Sequence, residues 1–188
     1  MVQEIVNATL DFPLFIRIHG GEYKNKDAFE NVIRYITRTR NNENRQNELI
    51  FYGTACGYPS LKLPEEIIKE FEYIARSYGT RGSFLVHYTI GIYDSLFNKM
   101  GNSFDVLAAC MVECCRYIHN IGYQSCYAVH ISQEKKLHVH LVISTTNFRT
   151  GRKLNQYPFS ISNEIERPLL DILNRYTINQ LSFSQIGI

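Results

Sequence analysis

Between Leu137 and Ile143 the chain reads Leu-His-Val-His-Leu-Val-Ile, and that alternation leaves few structural choices. Side chains of a β-strand point to opposite faces with a period of two, so His138 and His140 share one face while Val139, Leu141 and Ile143 share the other. The apolar face demands a core. Just upstream, Tyr127-Ala128-Val129-His130-Ile131 reads as a second strand, with Gln133-Glu134-Lys135-Lys136 as the turn between the two. If the strands pair as an antiparallel hairpin and His130 falls opposite His138 or His140, three imidazoles meet on one face.

Upstream of the hairpin, strand-like and helix-like stretches follow one another. Residues 14–18 read as a first strand ended by Gly20-Gly21. Phe29, Val32, Ile33 and Ile36 recur at helical spacing over 27–37. Residues 38–60, rich first in Arg, Asn and Gln and then in Gly, Pro and Ser, read as a long exposed excursion with a short strand at 49–52. Loops of that length in compact domains are usually functional or disordered. Pro64-Glu65-Glu66 opens a helix that Gly79 closes, because proline suits a first turn and carboxylates suit the positive end of the helix dipole. A strand follows over 83–92. Ser103 caps a longer helix whose stripe holds Leu107, Cys110, Met111, Cys114, Ile118 and Ile121 until Gly122 ends it. After the hairpin come a Thr150-Gly151 turn, a helix over about 163–177 and a possible edge strand at 181–183. The expected fold is an α+β domain spanning residues 1–188. Its central, mainly antiparallel sheet carries the histidine hairpin in its middle, with helices packed mainly on the face opposite the imidazoles.

Composition excludes several classes. The 188 residues are 45% apolar and 20% charged, enough for a substantial core, and the net charge of +2 neither announces nor opposes nucleic acid. Charge is instead clustered, at Arg34, Arg38, Arg40 and Arg45, and again at Lys135, Lys136, Arg149, Arg152 and Lys153. Five cysteines with no Cys-x-x-Cys pair argue against a disulfide framework or a zinc knuckle, and point to the reducing cytoplasm. The N-terminus has no basic region before an apolar run and no stretch is long enough to span a bilayer, so neither export nor a membrane is expected.

Neutral imidazoles suit Mn, Fe, Co, Ni, Cu or Zn, and phosphate and water oxygens can complete an octahedron for Mn or Mg. Three neutral ligands leave a divalent ion its full charge, which is useful for polarising a phosphodiester oxygen. A two-metal nuclease needs several carboxylates, and only Glu134 lies near the histidines in sequence. On pattern alone, a His-hydrophobic-His strand is also compatible with surface or core histidines that bind nothing, although His130 in register on the partner strand tips the reading modestly toward a metal.

The sequence Ala128-Val129-His130, then Leu137 to Ser144, then Asn147-Phe148 and Thr150-Gly151-Arg152-Lys153-Leu154 resembles the histidine motif of conjugative relaxases, the plasmid-mobilisation nucleases among the HUH endonucleases. Phe29 to Thr37 resembles the segment of that family that holds the nucleophilic tyrosine in a Tyr-Ile-Thr context, and the order of tyrosine before histidines agrees. The resemblance implies an enzyme that nicks one DNA strand at an origin of transfer, keeps the 5′ phosphate as a phosphotyrosine ester and later rejoins the ends. Its implied parts are Tyr35 as nucleophile, His130, His138 and His140 around one divalent ion, Mn or Mg, and His87 as a DNA contact or proton acceptor. Arg34, Arg38, Arg40, Lys135, Lys136, Arg149, Arg152 and Lys153 would suit phosphates of single-stranded or hairpin DNA, with accessory mobilisation proteins as further partners. Tyr23 is a rival nucleophile. Tyr176 is another, which would fit a single-strand transposase; a rolling-circle replication initiator and a DNA-binding relative without catalysis complete the alternatives. Where the family often has an acidic residue two positions after the first histidine this chain has Ser132, so Glu134 is expected to take that place unless the hairpin is shifted.

Overall fold

A computed structural model describes residues 4–6, 15–18, 23–25, 27–40, 45–57, 60–79, 82–154 and 161–184. The expected turn at Gly20-Gly21 lies outside them. Among the described residues six strands form one sheet: β1 (Glu4–Val6), β2 (Phe15–Ile18), β3 (Leu49–Thr54), β4 (Leu85–Ile92), β5 (Ser125–Ile131) and β6 (Leu137–Ser144), in the order β1-β2-β4-β6-β5-β3. Every neighbouring pair is antiparallel. The histidine strand β6 is therefore central, flanked by β4 and β5, as the apolar content of its second face requires. Glu4–Val6, unassigned from sequence, is an edge strand, and β3 forms the other edge.

Period-two burial divides the sheet into two faces. Val86, Tyr88, Ile90, Tyr127, Val129, Val139, Leu141 and Ile143 face a core shared with α3 (Asp94–Lys99), α4 (Phe104–Asn120) and α5 (Arg167–Ser184). The cysteines at 110, 114 and 115 are buried in it as small core residues. Ser103 caps α4 by accepting from the Val106 amide. The opposite face presents Leu85, Cys126, Ala128 and Val142 to α1 (Ala28–Ile36) and α2 (Pro64–Ser77), whose stripes contribute Phe29, Val32, Ile33, Ile36, Ile67, Ile68 and Phe71. Phe29 meets Phe71 and Phe84 edge to face, which locks the two helices onto the sheet. The histidines belong to this second face.

Helices lie mainly opposite the imidazoles, where α3, α4 and α5 pack, while α1 and α2 cover part of the histidine face, because Cys126, Ala128 and Val142 make that face apolar beyond the imidazoles. One expectation needs correction: 181–183 is not an edge strand. Those residues continue α5 to Ser184, with Leu170, Leu173, Thr177 and Leu181 keeping the helical spacing and no Gly or Pro after Pro168 until Gly187. The helix α3, absent from the sequence reading, fills the 94–99 segment.

A π-helical turn, Ser162–Glu166, precedes α5 and buries the Glu166 carboxyl. Burial raises its proton affinity above the usual carboxylate range, with a Ser162 hydrogen bond opposing. A raised folded-state pKa favours folding while the group is protonated and costs stability as pH rises through it. Glu166→Gln, neutral throughout, should therefore melt at a higher temperature than the parent at pH 7.5. The gap should close toward pH 4; a constant gap in thermal melts across that range would refute the assignment.

Candidate metal centre

The β5–β6 register sets His130 directly opposite His138, and His140, two residues further along β6, opposite Ala128 on one side and Thr89 on the other. Ring centroids lie 5.4 Å apart for His130 and His138, 4.8 Å for His130 and His140, and 5.1 Å for His138 and His140. One nitrogen from each ring falls within 4.8 Å of the others. Ligands about 2.1 Å from an ion sit roughly 3–3.5 Å from each other, so modest ring rotation brings these three to coordination distance.

Hydrogen bonds to the other ring nitrogens decide which lone pairs face the centre. His130 Nε2 lies 2.6 Å from the Ile36 carbonyl. A carbonyl only accepts, so Nε2 carries the proton and Nδ1 offers the lone pair. His138 Nδ1 lies 3.2 Å from the Lys136 carbonyl, which by the same argument leaves Nε2 as its ligand atom. His140 Nδ1 is 2.9 Å from His87 Nε2 and 3.1 Å from Thr89 Oγ1, while its Nε2 is fully buried. Metal-binding histidines characteristically have their second nitrogen held in this way, so the residues present fit an ion with imidazole ligands. Burial lowers the proton affinity of His130, to a pKa of about 4 even though the Ile36 bond opposes it, and burial also lowers that of His138. Both rings are neutral near pH 7, as ligands must be.

Tyr35 sits in the last turn of α1, half-buried, with its ring centroid 5.5 Å from His140 and 6.4 Å from His87. Tyr23 is close by: its hydroxyl is 3.4 Å from His87 Nδ1, and burial and the nearness of Tyr35 raise its pKa. Tyr23, Asn25, Asn31, Tyr35, Arg40 and His87 line an open pocket of about 440 Å³ beside the triad. Tyr176 is remote from all of this. It is on α5 across the sheet, where burial and Glu113 push its hydroxyl up to about 12.

The basic residues divide. Arg40 bonds Asn31 at the pocket. Arg34 bridges Glu30 and Glu65, tying α1 to α2. Arg38 is buried, its guanidinium on Glu48, His130 and the Tyr35 carbonyl. Lys135 and Lys136 occupy the exposed hairpin turn, Lys136 paired with Glu134. Arg149, Arg152 and Lys153 follow the far end of β6; Arg149 bonds the Asn120 carbonyl, Arg152 is exposed, and Lys153 turns inward to Ser83 and Thr145. Ser132 accepts from the Lys136 amide and closes the hairpin, which is not shifted. Glu134 is exposed in the turn. The carboxylate brought toward the triad is instead Glu48, 2.7 Å from Arg38 and near enough to favour protonated His138. Neither Glu48 nor Thr89 stood out in the sequence, since each lacks a motif and reaches the site only through pairing of β3 with β5 and β4 with β6.

No curated protein matches the chain. The family model described as Relaxase: MobA/VirD2-like, nuclease domain, matches residues 35–177, well over half of the length, from Tyr35 through the triad and into α5. The chain thus belongs to the MobA/VirD2-like relaxases, as a nuclease domain of the kind that nicks single-stranded DNA in plasmid mobilisation.

Proposed function

We propose that this domain, taken as one unit over residues 1–188, is a metal-dependent strand transferase acting at a specific site in origin-of-transfer DNA, presented as a single strand or hairpin in the cytoplasm. The Tyr35 oxygen attacks phosphorus, the bond to the 3′ oxygen breaks, and the 5′ phosphate stays on the protein as a phosphotyrosine ester while the 3′ hydroxyl leaves with a proton. Rejoining is the reverse: the 3′ hydroxyl attacks the ester and Tyr35 departs, with no external energy source because the ester conserves the bond. The observation that carries this reading is the position of Tyr35, on the histidine face with its ring 5.5 Å from that of His140.

A divalent ion held by His130, His138 and His140, Mn or Mg on this reading, supplies positive charge to the non-bridging oxygens of the scissile phosphate. The chain's own residues do the positioning. The α1 stripe of Phe29, Val32, Ile33 and Ile36 is buried against the sheet and α2, which fixes where Tyr35 stands. His87 orients His140 from one side. Arg40, at the pocket mouth, offers a charge for the DNA backbone, and exposed Lys135 and Arg152 extend the same role outward.

Incubation with a labelled single-stranded library and Mn²⁺ or Mg²⁺ should yield a covalent adduct that survives SDS. Tyr35→Phe should reduce it by at least about a hundredfold, the scale of losing a nucleophile, while Tyr23→Phe, which removes only a hydrogen-bond partner of His87, should reduce it far less. An adduct that persists in Tyr35→Phe and disappears in Tyr23→Phe would move the nucleophile to Tyr23. Chelation should abolish the adduct and Mn²⁺ restore it in the parent, whereas His140→Ala should stay inactive after Mn²⁺ is added. DNA binding measured without chemistry should weaken linearly in log–log plots against salt, and Arg40→Ala should flatten the slope by about one unit.

A further inference from the structure

Arg38 stands where an arginine is unexpected. The chain leaves α1 through a Schellman turn, in which the Thr39 amide bonds the Arg34 carbonyl and the Arg38 amide bonds the Tyr35 carbonyl. The residue at the turn must take a left-handed backbone and is usually glycine; Arg38 takes it at φ 55°. A bulky side chain in that conformation costs on the order of 1 kcal/mol, and such strain persists only where the surroundings hold the residue. What holds Arg38 is its guanidinium, with 2% of the side chain exposed. Nη1 donates to the Tyr35 carbonyl, and Nη2 divides its two hydrogens between Glu48 Oε2 at 2.7 Å and His130 Nδ1 at 3.1 Å.

That last contact falls on the lone pair the metal reading requires. His130 Nε2 is committed as donor to the Ile36 carbonyl, so Nδ1 is the nitrogen left for an ion, and one lone pair cannot serve both an ion and Arg38. We propose that Arg38 competes with the metal ion for His130 Nδ1, so that loading the centre releases this one hydrogen bond while Glu48 retains the guanidinium. The inference rests on the histidine triad being a metal site. Arg38 is then a positioning residue that sets metal affinity. In the ion-free protein it supplies a positive charge beside the triad; in the loaded protein its charge, offset by Glu48, opposes the ion's. In both states the Ile36 carbonyl, rather than Arg38, anchors the His130 ring.

The two roles open to Arg38 predict opposite signs. Were it merely a structural support, its removal would loosen His130 and weaken metal binding. As a competitor, its removal tightens binding. Arg38→Gly is the informative variant, since glycine suits the left-handed turn and deletes the guanidinium without breaking α1; a thermal melt checks that the variant is folded. Free Mn²⁺ measured by electron paramagnetic resonance should show Arg38→Gly binding about tenfold to a hundredfold more tightly than the parent, the scale of one charge-assisted hydrogen bond. Glu48→Gln, which leaves the guanidinium without that carboxylate, should bind more weakly than the parent. Equal or weaker binding by Arg38→Gly overturns the competition while leaving the metal site intact. Absence of Mn²⁺, Co²⁺ and Zn²⁺ uptake by both parent and Arg38→Gly overturns the metal reading and the inference together. A further readout needs no metal: nitrogen-15 chemical shifts of the ion-free parent should show His130 protonated at Nε2, and a proton at Nδ1 would overturn the proposal.

Discussion

One hydrogen bond couples the helix that carries Tyr35 to the strand that carries the first histidine: His130 Nε2–H to the Ile36 carbonyl, 2.6 Å and buried. The last carbonyls of a helix have no partner within it, so the end of α1 needs a donor from elsewhere. β5 supplies an imidazole where a backbone amide or water would otherwise serve. Three consequences follow from that choice. Tyr35, one residue before Ile36, is fixed relative to the triad; the tautomer of His130 is set without any carboxylate; and its lone pair is left to whatever stands on the other side of the ring. Satisfying the backbone and preparing a ligand are here the same act.

The two faces of the sheet divide the labour. The α4–α5 face is a largely apolar core, with Tyr88, Tyr127 and Glu166 among its polar members, and it supports β4, β5 and β6. The other face is apolar only where α1 and α2 cover it, and polar at the neighbouring positions His87, His130, His138 and His140. A rigid strand pair fixes the spacing of the imidazoles far better than a loop would, and rigidity of this kind is what a metal centre with three ligands from two strands requires. The ligand set brings no negative charge of its own. Glu48 enters paired with Arg38 and, at 4.0 Å, with Arg45, so it leaves no uncompensated negative charge to repel a polyanionic substrate.

What was legible in the sequence was periodic. The alternation at 137–143 gave strand, face and centrality together, since a strand with a strictly apolar face and neighbours of matching pattern has nowhere to lie but the middle. The α4 stripe and its Ser103 cap were equally plain, as was the Tyr-Ile-Thr segment once set beside the histidine motif. What stayed hidden were partnerships. Arg34, Arg38 and Lys153 look alike as charges in a chain, and only tertiary pairing shows that Arg34 joins two helices, Arg38 is buried at the triad and Lys153 turns back on Ser83 and Thr145. Glu134 was the expected carboxylate because it is near in sequence; Glu48 is the one near in space, brought there by β3 pairing with β5 across a register irregularity between Leu49 and Phe51. An edge strand of three residues carries too little pattern to be read, which is why β1 escaped.

The two tyrosines of the pocket are distinguished by the polarity of the ring chain that reaches one of them. If His140 ligates through Nε2, its Nδ1 must carry the proton and donate to His87 Nε2, because a neutral imidazole has one donor and one acceptor nitrogen. His87 is then protonated at Nδ1, and the group 3.4 Å away, the Tyr23 hydroxyl, is on the receiving end. A phenol that accepts such a bond is held in place by its oxygen. Tyr35 meets His140 and His87 through its ring, edge to face, rather than through that chain. This difference matches the proposed division, in which Tyr35 is the group that approaches the phosphate and Tyr23 stands beside His87. It also explains how the centre dispenses with the acidic residue that Ser132 replaces: the tautomers are fixed by two backbone carbonyls and a second imidazole, donors and acceptors that carry no charge into a site meant to hold an anion.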